Sequence, residues 1–296
     1  MITICIPVFN FNITSLINEL SNQMQSFPTD CEIIVIDDCS MNFKNINRSV
    51  CKNVTYIELS ENIGRARIRN LFLKYAKFEY LLFLDCDSLI YSTTFLLKYM
   101  ETISQKPQVV CGGRVYDTTR PERNKKLRWK YGILKESQPC SIRQKFPNKS
   151  FMTNNFLIQK QILQENKFEE RLTKYGHEDT LFGFQLKRKN ITITHIENPI
   201  LNGDIETNSD FLHKTEAGVS NLVSIMNLTD YNNELTEEIT ILKFYKKIKK
   251  LETFIRLSFK ILKPFIKFLL TKGFVSLLLF DFYKLGIFLE KLKVKS

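Results

Sequence analysis

The segment YLLFLDCDS, residues 80–88, is a continuous apolar run that ends in two acids, Asp85 and Asp87. Similar runs occur at residues 2–9 (ITICIPVF) and 31–38 (CEIIVIDD), and helix-like stretches separate the runs. Strands that are apolar throughout and alternate with helices are typical of a parallel sheet covered on both faces. The sequence therefore predicts an α/β fold.

Polar residues follow these apolar runs: Asn10 follows the first, Asp37 and Asp38 end the second, and Asp85 and Asp87 end a later one. Ligands of open α/β sheets bind beyond the carboxyl ends of the strands. On an extended segment, residues two apart point the same way, so both acids of the D-x-D pair are expected to face one ligand. Two carboxylates beside phosphate oxygens suit Mg²⁺ or Mn²⁺ bridging a diphosphate, although the D-x-D pattern alone is weak.

A second motif is GHEDTLFGFQLKRK, residues 176–189, which places Glu178 and Asp179 at the start of a predicted helix. Acids in a first helical turn are favoured by the helix dipole, so they are also ordinary helix-start residues. A carboxylate held over a bound donor could take a proton from an attacking hydroxyl.

A third motif is ENIGRARIRN, residues 61–70. Gly64 permits a tight helix start, and a helix N-terminus with arginines suits a nucleotide phosphate or base. Arg65 and Arg69 are four residues apart and share a helix face, whereas Arg67 is expected to point to solvent.

The ordered motifs IPVFN, IDDCS, NIGRARIRN, FLDCDS and GHEDTLFGFQL resemble the family 2 glycosyltransferases of GT-A fold, over roughly residues 1–230. The resemblance implies a mixed sheet flanked by helices. It also implies transfer of a sugar, with inversion, from a nucleotide-diphospho-sugar to a glycan or glycolipid acceptor in cell-surface polysaccharide or lipopolysaccharide synthesis. A UDP-sugar is the favoured donor.

The same resemblance implies roles for individual residues. Phe9 would stack on the nucleotide base and Asp38 would contact that base. The implied nucleotide-binding set is Pro7, Phe9, Asn10, Asp38, Asn62, Arg69 and Asp85.

The resemblance further implies that Asp87, together with Asp85, holds Mn²⁺ or Mg²⁺. Asp179 would be the general base of an inverting displacement, with Glu178 supporting the acceptor side. A single departure concerns NPILNGD, where relatives commonly place a histidine and this chain has Asn202. His195 and His213 flank that point and are the alternative ligands, although a structural or solvated role suits a lone histidine better.

Two other functions remain open at this point. FLDCDSL, followed by NGDIETNSD at residues 202–210, also fits a phosphatase of the haloacid dehalogenase type, but this leaves the first 80 residues and the GHED motif unexplained. The other alternative is a non-catalytic nucleotide-sugar-binding or membrane-scaffold protein, which would have no use for intact Asp85, Asp87 and Asp179.

The net charge of +12 is concentrated at the C-terminal end. Residues 243–296 contain 14 of the 43 basic side chains and 3 of the 31 acids, so residues 1–242 carry a net charge of only +1. A near-neutral body argues against nucleic acid as a partner. We therefore predict a catalytic domain over residues 1–238 and a basic amphipathic helical tail over residues 239–296.

Apolar residues at helical spacing interrupt the lysines of the tail: Phe244, Ile248, Leu251, Ile255 and Leu262. Basic amphipathic helices bind anionic membrane surfaces, so the chain is expected at the inner face of the cell membrane as a peripheral cytoplasmic protein. The alternative is that the helices pack on the catalytic domain or on a second subunit in a homo-oligomer, because amphipathicity is the same in either case. Pro264 and Gly273 are expected to divide the tail.

Seven cysteines without a C-x-x-C pair predict buried, reduced thiols in the cytoplasm. The first apolar run begins at Ile2 without a basic segment before it, so no signal peptide is predicted.

Residues 117–150, which are basic and contain three prolines, are expected to form an irregular excursion over the active face.

Overall fold

The computed structural model describes residues 1–27, 30–173, 175–228 and 232–292, with the side chain of residue 232 left out. The last four residues of the predicted tail, 293–296, lie outside the described residues. The strands are β1 (Ile2–Val8), β2 (Cys31–Asp37), β3 (Thr55–Glu58), β4 (Tyr80–Leu84), β5 (Ser88–Leu89), β6 (Val109–Cys111), β7 (Arg114–Val115), β8 (Asn155–Gln159), β9 (Ile193–His195) and β10 (Ile200–Asn202).

The helices are α1 (Thr14–Met24), α2 (Lys44–Val50), α3 (Arg65–Tyr75), α4 (Phe95–Ile103), α5 (Lys126–Tyr131), α6 (Cys140–Arg143), α7 (Lys160–Glu165), α8 (Glu178–Arg188), α9 (Asn208–Leu228), α10 (Asn232–Glu238), α11 (Thr240–Ile248), α12 (Glu252–Thr271) and α13 (Leu277–Leu292). Short 3-10 turns at Arg123–Lys125 and Lys249–Leu251 and a π-helical turn at Gly132–Glu136 are the other helical segments of the described residues. Residues 117–150 thus contain several helical turns, and the expectation of an irregular segment was wrong.

The main sheet has seven strands in the order β3-β2-β1-β4-β8-β6-β9, and a smaller sheet has the order β5-β10-β7. β1 pairs in parallel with both β2 and β4. β8 runs antiparallel to β4 and β6, with Asn155 opposite Leu84 and Gln159 opposite Tyr80. Because β8 starts at the edge where β4 ends, it must run in the opposite direction. The mixed α/β sheet flanked by helices is confirmed, and β8 is the strand that departs from the parallel arrangement indicated by the apolar runs.

The main sheet is buried on both faces, which explains why its strands are apolar throughout. One cluster places Ile4, Val35 and Leu82 beside Leu16 of α1 and Phe95 of α4.

The opposite cluster places Ile34, Phe83 and Phe156 beside Phe72 of α3 and Phe182 of α8. The core residues of β1, β2 and β4 have little or no exposed surface. The two clusters hold the carboxyl ends of these strands in place and orient α3 and α8 over one face.

The apolar run QVVCGGRVY, residues 108–116, is divided between two strands. Gly113 has φ +96°, a left-handed conformation that favours glycine. This turn separates β6 from β7 and moves Arg114 from the main sheet to the small one, where it pairs with Ile200 of β10.

The chain forms two compact units. The first comprises residues 1–117, 136–173 and 178–204, and the second comprises residues 118–135, 174–177 and 205–296. The domain boundary expected between residues 238 and 239 stays a prediction.

In the second unit, α12 and α13 pack against each other and against α9. α12 continues through Pro264, so the expected break there was wrong. Proline removes one helical hydrogen bond, but Phe259, Ile266 and Leu270 bury the same helix face on both sides of it. Gly273, with φ +82°, does follow the end of α12. No helix of the described residues is long and apolar enough to cross a membrane.

Candidate active site

The residues of the candidate site all belong to the first unit. Asp85 and Asp87 follow β4, and the residues between β4 and β5 form a turn closed by a hydrogen bond from the Ser88 N–H to the Asp85 carbonyl, 3.0 Å. The expected extended D-x-D segment was therefore wrong. The turn nevertheless keeps the two acids close enough to interact: burial, and after it the charge of Asp85, raises the pKa of Asp87.

Asp85 differs from Asp87 in its cationic neighbours. Its Oδ1 lies 3.1 Å from Nη2 of Arg69, and its Oδ2 lies 3.9 Å from Nη2 of Arg114. Burial would raise the pKa of Asp85, but Arg69, Arg65 and Arg114 together hold it below the usual value. Asp85 is thus an anchored carboxylate, whereas the Asp87 carboxylate accepts no hydrogen bond from another described residue.

The loops after β1 and β2 are joined by Asn10. This residue adopts a left-handed conformation, with φ 51°. Its Oδ1 accepts hydrogen bonds from the N–H groups of Met41 and Asn42, at 2.8 and 2.9 Å. The predicted nucleotide-binding residue Asn10 therefore connects two loops of the site. Its neighbour Phe9 is 51% exposed and presents a ring for the predicted base stacking, while Pro7 lies within β1 opposite Ile36.

Asp38 is buried, and both of its carboxylate oxygens are occupied. Oδ1 accepts the Ile63 N–H at 2.7 Å and Oδ2 accepts the Gly64 N–H at 3.1 Å. Asn62 donates its Nδ2 to the Asp38 carbonyl at 3.1 Å. Burial raises the pKa of Asp38 although both backbone hydrogen bonds oppose this. Asp38 and Asn62, two residues of the predicted nucleotide set, thus hold the loop that precedes α3.

α3 begins after Gly64, whose φ of +81° requires the freedom of glycine. Arg69 is 1% exposed and Arg67 is exposed, as their helical spacing predicts. Arg65 and Arg69 both reach Oε1 of Glu178, at 3.7 and 3.9 Å. The shared face of Arg65 and Arg69 is therefore directed at the start of α8.

α8 starts at Glu178, so both acids lie in its first turn. Asp179 Oδ1 accepts the N–H of Thr180 at 2.7 Å, and its second carboxylate oxygen receives no hydrogen bond from another described residue. Burial, and after it the charge of Glu178, raises the pKa of Asp179 to about 6, although Arg69 and Thr180 oppose this shift. A carboxylate with a pKa near neutrality and one available oxygen can act as a general base.

Arg114 was missed by the sequence analysis. Its guanidinium is 13% exposed and lies 3.9 Å from Asp85 and 3.5 Å from Glu136. Burial lowers the pKa of Arg114, but Tyr116 and the acids Glu136, Asp87 and Asp85 outweigh it and raise the pKa. The only local signal was an arginine placed directly after two glycines at the end of an apolar run.

The donors at the D-x-D turn are oxygen atoms, which suit Mg²⁺ or Mn²⁺. Among the described residues, no group of three or more His, Cys, Asp or Glu side chains could hold a metal ion. Mg²⁺ is usually held by one or two carboxylates together with substrate phosphates and waters. Asp87, with its unused oxygens and raised pKa, fits a cation bound in that way.

The residues that flank the expected histidine position have different environments. His195 is buried, with Nδ1 2.9 Å from Nη1 of Arg143 and Nε2 2.9 Å from the Pro147 carbonyl. Burial lowers the pKa of His195 to about 4. Both ring nitrogens are occupied, so His195 is structural. His213 is exposed on α9 in the second unit.

Asn202 lies in β10 directly opposite Ser88 of β5. The N–H of the next residue, Gly203, donates to the Asp87 carbonyl at 3.0 Å. The Asn202 Nδ2 donates to the Asp204 carbonyl at 2.6 Å. The position expected for a histidine is thus next to the D-x-D turn, and the side chain there is an amide.

Similar proteins were found by sequence. The family model described as glycosyl transferase family 2 matches residues 3–167. An uncharacterized glycosyltransferase of Haemophilus influenzae is 31% identical over 111 residues, which cover 37% of this chain and 36% of that protein. A chondroitin synthase of Escherichia coli is 26% identical over 204 residues, 57% of this chain and 29% of that protein. The chain spans about a third of the length of these curated relatives.

Solved structures share the fold. The mannosyltransferase PcManGT from Pyrobaculum calidifontis, in complex with GDP-Man and Mn²⁺, has a TM-score of 0.60 at 12% identity, covering 99% of this chain and 86% of that one. S. aureus TarS in complex with UDP-GlcNAc has a TM-score of 0.52 at 18% identity, covering 99% and 91%. At these identities the likeness establishes the GT-A fold alone.

The family match covers more than half of the chain, including the FLDCDS motif that had also suggested a phosphatase. The mixed sheet and the anchored D-x-D turn agree with that match. The chain therefore belongs to glycosyl transferase family 2.

Proposed function

We propose that the protein transfers a sugar from a nucleotide-diphospho-sugar to an acceptor hydroxyl in a single displacement with inversion. The observation that carries the proposal is the bridge formed by Arg69, which contacts both Asp85 of the D-x-D turn and Glu178 beside Asp179. One buried guanidinium thus joins the donor side of the site to Glu178, and Glu178 is the neighbour of Asp179, the carboxylate with a pKa of about 6.

In this mechanism the free carboxylate oxygen of Asp179 accepts the proton of the acceptor hydroxyl. The hydroxyl oxygen of the acceptor attacks the anomeric carbon at the same time. The bond from that carbon to the nucleoside diphosphate breaks, and the diphosphate leaves with the electron pair. Glu178 raises the basicity of Asp179 by its negative charge. Arg69 orients Asp85 towards the donor and limits the rise in the pKa of Asp179, so that the base is ionised at pH 7.

A divalent cation, Mn²⁺ or Mg²⁺, would be held by Asp87 with Asp85 and by the diphosphate oxygens. It would neutralise the charge that grows on the leaving phosphate. Phe9 would stack on the base, and the loops held by Asn10, Asp38 and Asn62 would form the rest of the nucleotide site. Two similar structures were solved with UDP-GlcNAc and with GDP-Man and Mn²⁺, which supports a nucleotide-sugar donor of this kind.

The acceptor is proposed to be a glycan or glycolipid of the cell surface. The relative named chondroitin synthase supports a polysaccharide as the acceptor class. The basic C-terminal segment supports a peripheral location at an anionic membrane, on its cytoplasmic face, because 14 basic and 3 acidic residues lie in residues 243–296.

The test is a panel of UDP- and GDP-sugars, with Mn²⁺ or Mg²⁺, in which nucleoside diphosphate release is measured with and without glycan acceptors. Asp179→Asn should lower kcat by at least about 100-fold while the Kd of the donor is unchanged. Asp210→Asn, an acid in the first turn of α9, is the matched control and should retain activity.

A kcat of Asp179→Asn equal to that of wild type would contradict the assignment of Asp179 as the general base. Phosphate release from simple phosphoesters without any sugar acceptor would instead favour the phosphatase alternative. Nucleotide binding without turnover on every acceptor would favour a non-catalytic protein. The anomeric configuration of the transferred sugar, determined by NMR, checks inversion.

A further inference from the structure

Helix α12 carries a second apolar face that is exposed. Five large apolar side chains recur at intervals of three and four residues and form a line along the helix. They are 71, 59, 77, 61 and 57% exposed, and we call them the α12 stripe: Phe254, Leu257, Ile261, Phe265 and Phe268.

The α12 stripe is not needed for the fold of the second unit. The opposite face of the helix, with Phe259, Ile266 and Leu270, is already buried. A surface helix normally has polar residues on its outer face. A contiguous apolar surface of this kind marks an interaction site.

Lysines flank the α12 stripe. Lys260 lies on the same helix and Lys272 directly follows it, and both are exposed and form no ion pair with another described residue. The ammonium group of Lys272 lies 5.9 Å from the ring centroid of Phe268, at the end of the stripe. The chemistry of the surface is therefore apolar with a cationic border.

This composition favours a lipid surface over a second copy of the chain. Lysine is depleted in protein–protein interfaces, whereas helices that lie in a bilayer interface combine aromatic and aliphatic residues with lysine-rich borders. Residues 254–268 extend about 21 Å along the helix axis. A helix that cannot span the bilayer can contact it along this length.

We propose that α12 lies in the headgroup region of an anionic membrane, with the α12 stripe inserted among the acyl chains and the bordering lysines on lipid phosphates. This inference rests on the peripheral location proposed above and names the surface responsible for it. Binding then has an apolar part, which salt does not screen, besides the electrostatic part.

The test uses the full chain and vesicles of phosphatidylcholine, with or without phosphatidylglycerol. The double variant Ile261→Ser/Phe265→Ser should bind the anionic vesicles at least about tenfold more weakly than wild type. The matched control is Ile142→Ser/Phe146→Ser, also an exposed isoleucine and phenylalanine four residues apart, which should bind as wild type does. All of these positions are exposed, so the circular dichroism spectrum and Tm of each variant should match wild type.

Insertion can be measured directly with the variant Ile261→Trp. After subtraction of the emission of Trp129, which wild type also contains, the fluorescence of the introduced tryptophan should shift to the blue on vesicle binding and be quenched by brominated lipids. Equal vesicle binding by wild type and Ile261→Ser/Phe265→Ser would overturn insertion while leaving electrostatic association in place. No binding by wild type would overturn the proposed location as well. If light scattering shows a wild-type dimer, and Ile261→Ser/Phe265→Ser is a monomer, a second copy of the chain and not a membrane covers the α12 stripe, which would overturn the proposal. Donor hydrolysis in solution is independent of all three results.

Discussion

The guanidinium of Arg69 lies between the carboxylates of Asp85 and Glu178, with Nη2 3.1 Å from Asp85 Oδ1 and Nη1 3.9 Å from Glu178 Oε1. Arg69 is 1% exposed, so both contacts are shielded from water. Its Nε and the Glu178 Oε2 are buried and have no hydrogen-bond partner among the described residues. One side chain thus sets the spacing between the D-x-D turn and the first turn of α8.

Replacing Arg69 by methionine should affect both stability and pH dependence. The variant removes the hydrogen bond to the Asp85 carboxylate and leaves Arg65, at 3.7 Å, as the one cation among the described residues in contact with the buried Glu178. The free energy of unfolding should therefore fall by about 2 kcal/mol, the contribution of a hydrogen bond to a charged group. Arg69 also opposes the raised pKa of Asp179. The acidic limb of the kcat/KM profile should therefore move above pH 6, since a base must be ionised to act.

Arg67→Met is the control, because Arg67 lies on the same helix and is exposed. Thermal unfolding and a pH–rate profile check both effects. Equal Tm values for the two variants would contradict the bridging role of Arg69.

Glu178→Gln should move the acidic limb in the opposite direction. The charge of Glu178 raises the pKa of Asp179, after the larger contribution of burial. Removing this charge lowers the pKa of Asp179, so activity should persist to a lower pH than in wild type, whose limb is expected near pH 6. The limb should remain above that of an exposed carboxyl because burial is unchanged.

The measurement is kcat/KM as a function of pH, from just above the pKa of about 4 of an unperturbed Asp up to about pH 8, where Asp179 is fully ionised. Glu61→Gln, an exposed acid near the start of α3, should leave the profile unaltered. A limb that stays at pH 6 in Glu178→Gln would mean that Asp179 is not the titrating base.

The elements and the acids could be predicted from the sequence because both depend on local patterns. Apolar runs gave β1, β2 and β4, and the spacing of Arg65, Arg67 and Arg69 gave the buried and exposed faces of α3. The position of Asp179 in a first helical turn followed from its motif.

Contacts between distant residues could not be predicted in this way. Nothing local indicates that Asp38 accepts the N–H groups before α3, or that Arg114 reaches Asp85, since both depend on how separate strands pack. The direction of β8 likewise depends on where the chain returns to the sheet. The α12 stripe was not recognised because its apolar residues resemble those of the buried face of the same helix.

Asp87→Asn should abolish the cation dependence of donor binding. The variant removes the carboxylate that accepts no hydrogen bond from another described residue and leaves Asp85 with its two arginines. Titration calorimetry of Mn²⁺ in the presence of nucleoside diphosphate should show affinity reduced by at least about 100-fold, because altering residues that only orient metal ligands already costs about 10- to 100-fold. Asp30→Asn, at the opposite end of β2, is the control. Unchanged Mn²⁺ affinity in Asp87→Asn would exclude Asp87 as the ligand.

Arg114→Met should strengthen cation binding and weaken catalysis. The guanidinium lies near both acids of the D-x-D turn, and its positive charge disfavours a second cation there. A unit charge about 4 Å away contributes roughly 1–4 kcal/mol, and the lower value holds where water screens the interaction. Because both acids of the turn are partly exposed, removal of the Arg114 charge should lower the Kd for Mn²⁺ by severalfold.

Activity should fall in Arg114→Met, since Asp85 and Glu136 lose a shared partner and the turn loses its anchor in the small sheet. Arg114→Lys keeps the charge without the forked contact, so it should retain the wild-type Mn²⁺ affinity while its kcat falls. Mn²⁺ titrations of the two variants, together with their kcat values, separate the charge of Arg114 from its geometry. Equal Mn²⁺ affinity in Arg114→Met and wild type would mean that the charge of Arg114 does not act on the cation site.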